Sequence, residues 1–172
     1  MKPTFASIGL IVGIIVLPAT LLYVFGSFQP ERHTSMIAFS LPKPPAVVWT
    51  ALTDYAATPQ WWPAVKKVRF ETRPDGGTIT WNTDNHGKEI GFRTLTEKPP
   101  AHLVREIVGD DLQFGGTWTY SLVAEQTTTR LTLTEDGFIK SPFFRAIAKL
   151  FIKPDATMHD FEKNFTVYVD KQ

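Results

Sequence analysis

The pattern of apolar and polar positions divides the chain into three regimes. In the first, Phe5 to Phe28, no residue is charged. The 21 residues Ala6 to Gly26 would rise about 30 Å as a helix, the thickness of bilayer hydrocarbon. A cleaved signal peptide is the rival reading, but its apolar region is shorter, about 7–15 residues before a small-x-small site. Val24-Phe25-Gly26 offers such a site, yet the length of the run favours an uncleaved, single-pass membrane anchor over residues 1–28. Pro18 fits, because transmembrane helices tolerate a kink that disrupts a soluble helix; Tyr23 and Phe25 fall near the far interface. A short N-terminal tail bearing Lys2, set against Arg32 and Lys43, resembles a signal anchor. The expectation is a domain over residues 33–172 on the non-cytoplasmic side, reached through a polar tether at residues 29–32.

The second regime begins with residues 33–41, where Met36, Ile37, Phe39 and Leu41 alternate with Ser and Thr as a first strand would. Lys43-Pro44-Pro45 ends it. Pro45 suits the first turn of a short helix through Val47, Val48, Trp49, Ala51 and Leu52. Thr58-Pro59 starts a second brief helix over residues 56–62, stopped by Pro63. From Val65 to Glu135 the period is two, punctuated by Pro74-Asp75-Gly76-Gly77, Asp84-Asn85-His86-Gly87, Lys98-Pro99-Pro100 and Glu125-Gln126-Thr127. The predicted strands are 65–73, 78–82, 88–97, 102–108, 116–124 and 128–134, seven with the first. In Trp118-Thr119-Tyr120-Ser121-Leu122 the apolar and hydroxyl residues take opposite faces.

In the third regime helical spacing returns, with Phe143, Phe144, Ile147, Ala148, Phe151, Met158, Phe161, Phe165 and Tyr168 three or four positions apart except for one longer gap. Pro142 suits the helix start. Pro154 removes a backbone donor and predicts a kink or break, with Asp155 available to cap the restart.

Composition removes several functional classes. Of the 18 Lys and Arg only Lys2 precedes residue 29, so the rest of the chain balances the 17 Asp and Glu; an electrostatic nucleic-acid partner is not expected. Without cysteine there is no disulfide, thiolate nucleophile or Cys-ligated zinc. His33, His86, His102 and His159 form no H-x-H or H-E-x-x-H spacing, so no metal site is expected. His159 lies four residues after Asp155 and reads as a local helix pair rather than a catalytic dyad. There is no G-x-S-x-G, P-loop or G-x-G-x-x-G motif. Gly76-Gly77 and Gly115-Gly116 read as turn and bulge glycines.

Particular words of sequence carry a family likeness: Pro45-Ala46-Val47-Val48-Trp49-Thr50-Ala51-Leu52-Thr53-Asp54-Tyr55, Trp61-Trp62-Pro63, Gly116-Thr117-Trp118-Thr119-Tyr120, Thr129 through Gly137, and Ser141-Pro142-Phe143-Phe144-Arg145. With the order strand, two short helices, six strands and a C-terminal helix, the chain resembles the SRPBCC superfamily, also called START-like or polyketide cyclase/dehydrase-like. The likeness runs over about residues 34–169. It implies an α+β helix-grip fold, in which a curved antiparallel sheet of about seven strands wraps a long C-terminal helix and encloses an apolar cavity. Members include lipid-transfer domains, plant hormone and allergen ligand carriers, and aromatase/cyclases, and fold alone does not choose among them.

Five Trp and thirteen Phe suit an aromatic-lined ligand site. Trp49, Leu52, Leu131 and Leu133 read as ordinary core. Trp61, Trp62, Trp81, Phe92, Trp118, Tyr120, Phe144, Ile147, Phe151 and Met158 are the residues expected to line the cavity and bind ligand, Met158 with the pliancy to fit variable shapes. Glu89, Arg93 and Glu106 fall on strands, where they either orient a ligand head group or form a solvated outer patch; the penalty for burying unpaired charge favours the patch. Asp54 and Tyr55 are read as organising the end of the first helix.

The leading expectation is therefore a membrane-anchored START-like domain that holds a small hydrophobic molecule, of lipid, quinone or isoprenoid type, between sheet and C-terminal helix, with no cofactor and no assigned catalytic residue. The alternatives are a polyketide cyclase/dehydratase-like enzyme acting on a hydrophobic carbonyl compound, and a non-catalytic envelope interaction module with a filled interior and an exposed apolar patch.

Overall fold

The computed structural model describes residues 5–110 and 112–172, with the side chains of the first helix described from Val16 onward. After α1 (Phe5–Ser27), the period-two stretches become β1 (Arg32–Leu41), β2 (Lys67–Thr72), β3 (Thr78–Thr83), β4 (Glu89–Lys98), β5 (His102–Val108), β6 (Phe114–Glu125) and β7 (Thr128–Ile139). They form one antiparallel sheet in the order β1-β7-β6-β5-β4-β3-β2. With β1 and β2 at opposite edges, the chain crosses between them through α2 (Pro45–Thr53), a 3-10 turn (Tyr55–Ala57) and α3 (Thr58–Trp61). Pro45 stands in the first turn of α2, where its missing N–H has no intrahelical partner to lose.

The sheet bends at defined points. The β4–β5 register shifts between Thr94 and Thr96. Gly116 in β6 has φ +138°, and a Cβ there would collide with the carbonyl oxygen of Asp136 on β7, so only glycine lets the strands approach. β7 runs five residues past its predicted end at Thr134, pairing Gly137 with both Gly116 and His33.

Cross-strand partners share a face of an antiparallel sheet, so the register defines rows on the inner surface. Ile37, Leu133 and Tyr120 make one row, and Phe39, Leu131 and Leu122 make the next. Against them packs α5 (Ala156–Asp170), whose Met158, Phe161, Phe165 and Val169 are fully or almost fully buried. The spacing three, four, four sets all four on one helical stripe. Val48, Trp49, Ala51 and Leu52 of α2 close the same core.

Two expectations change here. The long C-terminal helix is two helices, α4 (Pro142–Phe151) and α5, separated by the short segment containing Pro154. Only α5 lies in the grip of the sheet; α4 runs alongside α1. Its contact with α1 is close enough that a Cβ on Gly26 would overlap the carbonyl of Pro142. Arg145 fastens the junction, donating from Nε to Gly26 O at 3.1 Å and from Nη1 to Ile139 O at 3.1 Å and Lys140 O at 3.2 Å.

The membrane expectation is overturned. Among the described residues no helix is long and apolar enough to cross a membrane. With the anchor goes the single-pass placement and the non-cytoplasmic assignment of the domain. Lys2, which set that orientation, lies outside the described residues.

Trp118 is 5% exposed at the centre of the β6 inner face. Its replacement by alanine is expected to lower unfolding stability by about 3–5 kcal/mol, read as a shift in the urea midpoint without a change in slope. A midpoint that stays put would mean that Trp118 is not part of the core.

Candidate functional site

The expected cavity residues divide into four groups. Trp61, Trp62, Trp118, Tyr120 and Met158 meet in or against the core with Phe161 and Phe165. Trp61 stacks on Trp62 at 5.7 Å and on Tyr168 at 5.8 Å, and Phe161 packs within 5.6–6.2 Å of Trp61, Trp62, Trp118 and Tyr120. These separations are ordinary aromatic contact distances, so side chains fill the space beneath α5. Trp81 stands on the opposite face of the sheet, where its ring covers Arg69 at 4.7 Å and its indole N–H donates to Glu71 at 2.9 Å. Phe144 and Phe151 on α4 are exposed, at 49% and 77%, and Ile147 is half-buried. Phe92 is on the inner face, in the row Phe70, Thr80, Phe92 and Ile107.

The open volume lies farther along that inner face. α5 and its aromatic partners cover the β1, β7 and β6 side, whereas on the β2–β4 side the 3-10 turn and the short α3 touch β2. There a groove of about 600 Å³, open to solvent, is lined by Tyr55, Phe70, Arg73, Asp75, Gly77, Thr78, Thr80, Arg93, Thr94 and Glu97. Asp54 anchors the turn that carries Tyr55 by accepting from the Ala57 N–H at 3.3 Å.

Arg105, not singled out in the sequence, is a buried charged group behind the groove-lining Tyr55 and across the strands from the groove-lining Thr94. It pairs across the strands with Thr94 on one side and Trp118 on the other, and it is 8% exposed. Its guanidinium lies 3.9 Å from the centre of the Tyr55 ring and 5.1 Å from that of Phe92. Nη2 donates to Phe92 O at 3.3 Å, and Nε has no partner. Burial lowers its pKa from the usual value, with Tyr55, Tyr120 and the Glu97 carboxylate opposing, but an arginine stays charged in this range. A buried donor without an acceptor carries a desolvation penalty of about 1–3 kcal/mol, more when charged. Aromatic faces offset part of that through the cation–π attraction. Burial also pushes the Tyr120 phenol well above its usual range, so its hydroxyl is a proton carrier that does not ionise at neutral pH. The signal for Arg105 was present in the alternation Leu103, Arg105, Ile107, which puts it in an apolar row.

The remaining candidate charges stay on the outside. Arg93 binds Glu106 at 2.5 Å, and Arg69 bridges Glu71 at 3.1 Å and Glu89 at 2.9 Å. The Arg69 hydrogen bonds hold the Glu89 carboxyl below its usual range. His159 sits on the exposed face of α5, with Nδ1 2.9 Å from Glu162 and Nε2 3.2 Å from Asp155. Tyr120, Glu89, Arg93 and His159 therefore do not converge on one pocket.

Comparison with known proteins fits this geometry. Residues 41–159 match the family model described as polyketide cyclase / dehydrase and lipid transport. No curated protein matches the chain. A START superfamily protein from Mycobacterium smegmatis superposes with TM-score 0.58 at 18% identity, over 81% of this chain and 98% of that one. Truncated norcoclaurine synthase from Thalictrum flavum gives TM-score 0.61 at 15% identity, over 84% and 98%. The di-domain ARO/CYC StfQ from the steffimycin biosynthetic pathway gives 0.62 at 11% identity, over 82% of this chain and 51% of its own. At such identities the likeness is one of fold.

The Glu162 carboxylate, with Asp155 beside it, raises the His159 pKa. A histidine whose folded pKa is raised stabilises the fold fully below the unfolded value of about 6.5 and loses that contribution as pH climbs through the folded value. An NMR titration is expected to place the His159 midpoint above 6.5, and His159→Gln to remove the corresponding small fall in stability on alkalinisation. A midpoint at or below the unperturbed value would contradict the pairing.

Proposed function

Because the chain belongs to the polyketide cyclase / dehydrase and lipid transport family, we propose that it binds a small apolar molecule, of lipid, quinone or isoprenoid type, in the groove over β2–β4. The observation that carries this reading is the uneven filling of one continuous inner surface. The same sheet face that is closed by aromatic packing under α5 is left open beside Tyr55, Phe70, Thr80 and Thr94. The groove has the volume of a small-molecule site, and its walls set the rings of Tyr55 and Phe70 among Thr78, Thr80, Thr94 and the charged Arg73, Asp75, Arg93 and Glu97. The guest is therefore placed next to α5, not beneath it.

Binding without chemistry is favoured over catalysis. Arg105 does not deprotonate and the buried Tyr120 is held protonated, and of the groove's own carboxylates Asp75 is paired with Arg73 and Glu97 is exposed at the rim, so among the described residues no enclosed general base faces the groove. The carboxylates Glu89 and Glu106 are paired to arginines on the other face. An interaction module is the second reading, favoured by the exposed Phe144, Leu150, Phe151 and Ile152 of α4 and the segment after it.

Solvent extraction of the purified full chain followed by mass spectrometry is expected to recover a small apolar molecule in stoichiometric amount. Thr94→Trp, which places an indole in the groove, should reduce that occupancy about tenfold or more while leaving the melting temperature within a few degrees, since Thr94 lies at the rim of the packed region. Protein that is empty and takes up no fluorescent apolar probe would refute the groove as a ligand site and leave the α4 patch as the functional feature.

A further inference from the structure

The geometry points to Arg105 as a carboxylate-binding centre, so that the guest is an acid with a flat apolar body, its head on the guanidinium and its body along Phe70 and Phe92. This rests on the reading of the groove as a ligand site and narrows the chemistry of what enters it.

The first support is position. Thr94 lines the groove and is the direct cross-strand partner of Arg105, so the guanidinium is carried by the next strand of the same surface. Trp118 follows in the same row. The second is an imbalance of hydrogen-bonding groups. Among the described residues, buried side-chain atoms without a partner are Trp61 Nε1, Arg105 Nε, Trp118 Nε1 and Asn82 Oδ1. Three of these four are N–H donors, and two of the three are neighbours in one row. Arginine and tryptophan side chains donate only; what the surface lacks is an acceptor.

The third is the state of the other cations around the groove. Arg73 pairs with Asp75 and Arg93 with Glu106. Arg105 has no carboxylate within ion-pairing distance among the described residues. Its one recorded acceptor is Phe92 O, which leaves most of the planar fork unmatched. A carboxylate presents two oxygens in the geometry that fork recognises, which a single carbonyl oxygen does not. Glu97, exposed at the rim, acts on Arg105 through space but forms no ion pair with it.

Tyr55 is the gate. Its ring both lines the groove and covers the guanidinium at 3.9 Å, and it is carried on a single 3-10 turn. Rotation of that one side chain exposes Arg105 to the groove, and the incoming carboxylate replaces the cation–π contact with a charge-assisted pair.

The test compares 2-naphthoate with 2-naphthamide, which has the same body and a neutral head, by calorimetric titration of the full chain and of R105M. Naphthoate is expected to bind about tenfold more tightly than naphthamide to the parent. R105M should lose that preference, the two probes then binding with equal affinity. On the parent, the ¹⁵N-arginine spectrum should show the Arg105 Nε–H moving downfield with naphthoate and not with naphthamide, a readout that stands even if R105M does not fold. Equal binding of the two probes, an unmoved Nε–H, or a preference that survives in folded R105M would overturn the assignment while leaving the groove a ligand site. Failure of both probes to bind the parent would remove the groove and the assignment together.

Discussion

The structure depends on how one helix is seated. α5 presents a stripe of Met158, Phe161, Phe165 and Val169 to a concave sheet, and α3 drives Trp61 and Trp62 in beside it. Phe161 and Phe165 stack at 5.0 Å, and Trp61 lies 5.2 Å from Phe165. Each of these aromatic side chains removes a large apolar area from water, and together they fix α5 over the β1 side of the sheet. Once that wedge is in place the helix cannot also cover β2–β4. The groove is thus a geometric remainder of core formation, and its floor is whatever the register of β2 to β5 turns inward.

That register had an outcome for charge. Period two sends Arg69, Glu71, Glu89, Arg93 and Glu106 outward, where they neutralise one another in solvent at little net gain. The same period sends Arg105 inward, where among the described residues it forms no ion pair. A sheet face that is otherwise apolar holds the cation by aromatic contact and a single carbonyl. It is a local conflict between stability and the rest of the fold, of the kind that accompanies a functional position.

The architecture was legible in the sequence because alternation and turn residues are local signals. All seven strands lie within a few residues of their expected limits, Pro45 begins its helix, and Pro154 interrupts the last one. The outward patch of Glu89, Arg93 and Glu106 followed from the penalty on buried charge. What could not be read was tertiary. Trp81 and Trp118 have similar surroundings in sequence, and only the register assigns them to opposite faces. The stripe from Phe143 to Tyr168 reads as one continuous face, yet its first half turns to α1 and its second to the sheet. One strand alone does not mark Arg105 as a site, and the apolar row it interrupts becomes visible only when β5 is set between β4 and β6. The uncharged run at the start was long enough for a bilayer by counting alone, whereas the described helix is engaged through Gly26 with Pro142 and Arg145.

That engagement makes the leading helix part of the domain's finish. Arg145 is shared among three carbonyls from two separate segments, at Gly26 and at Ile139 and Lys140, with Glu31 3.8 Å away. Trimming the chain to begin at the first strand would strip one of those acceptors and bare the flank of α4 that holds the fully buried Ala146. A shortened preparation is then stickier than the whole molecule for a reason unrelated to any guest, and self-association seen in such a fragment describes the wound left by the cut.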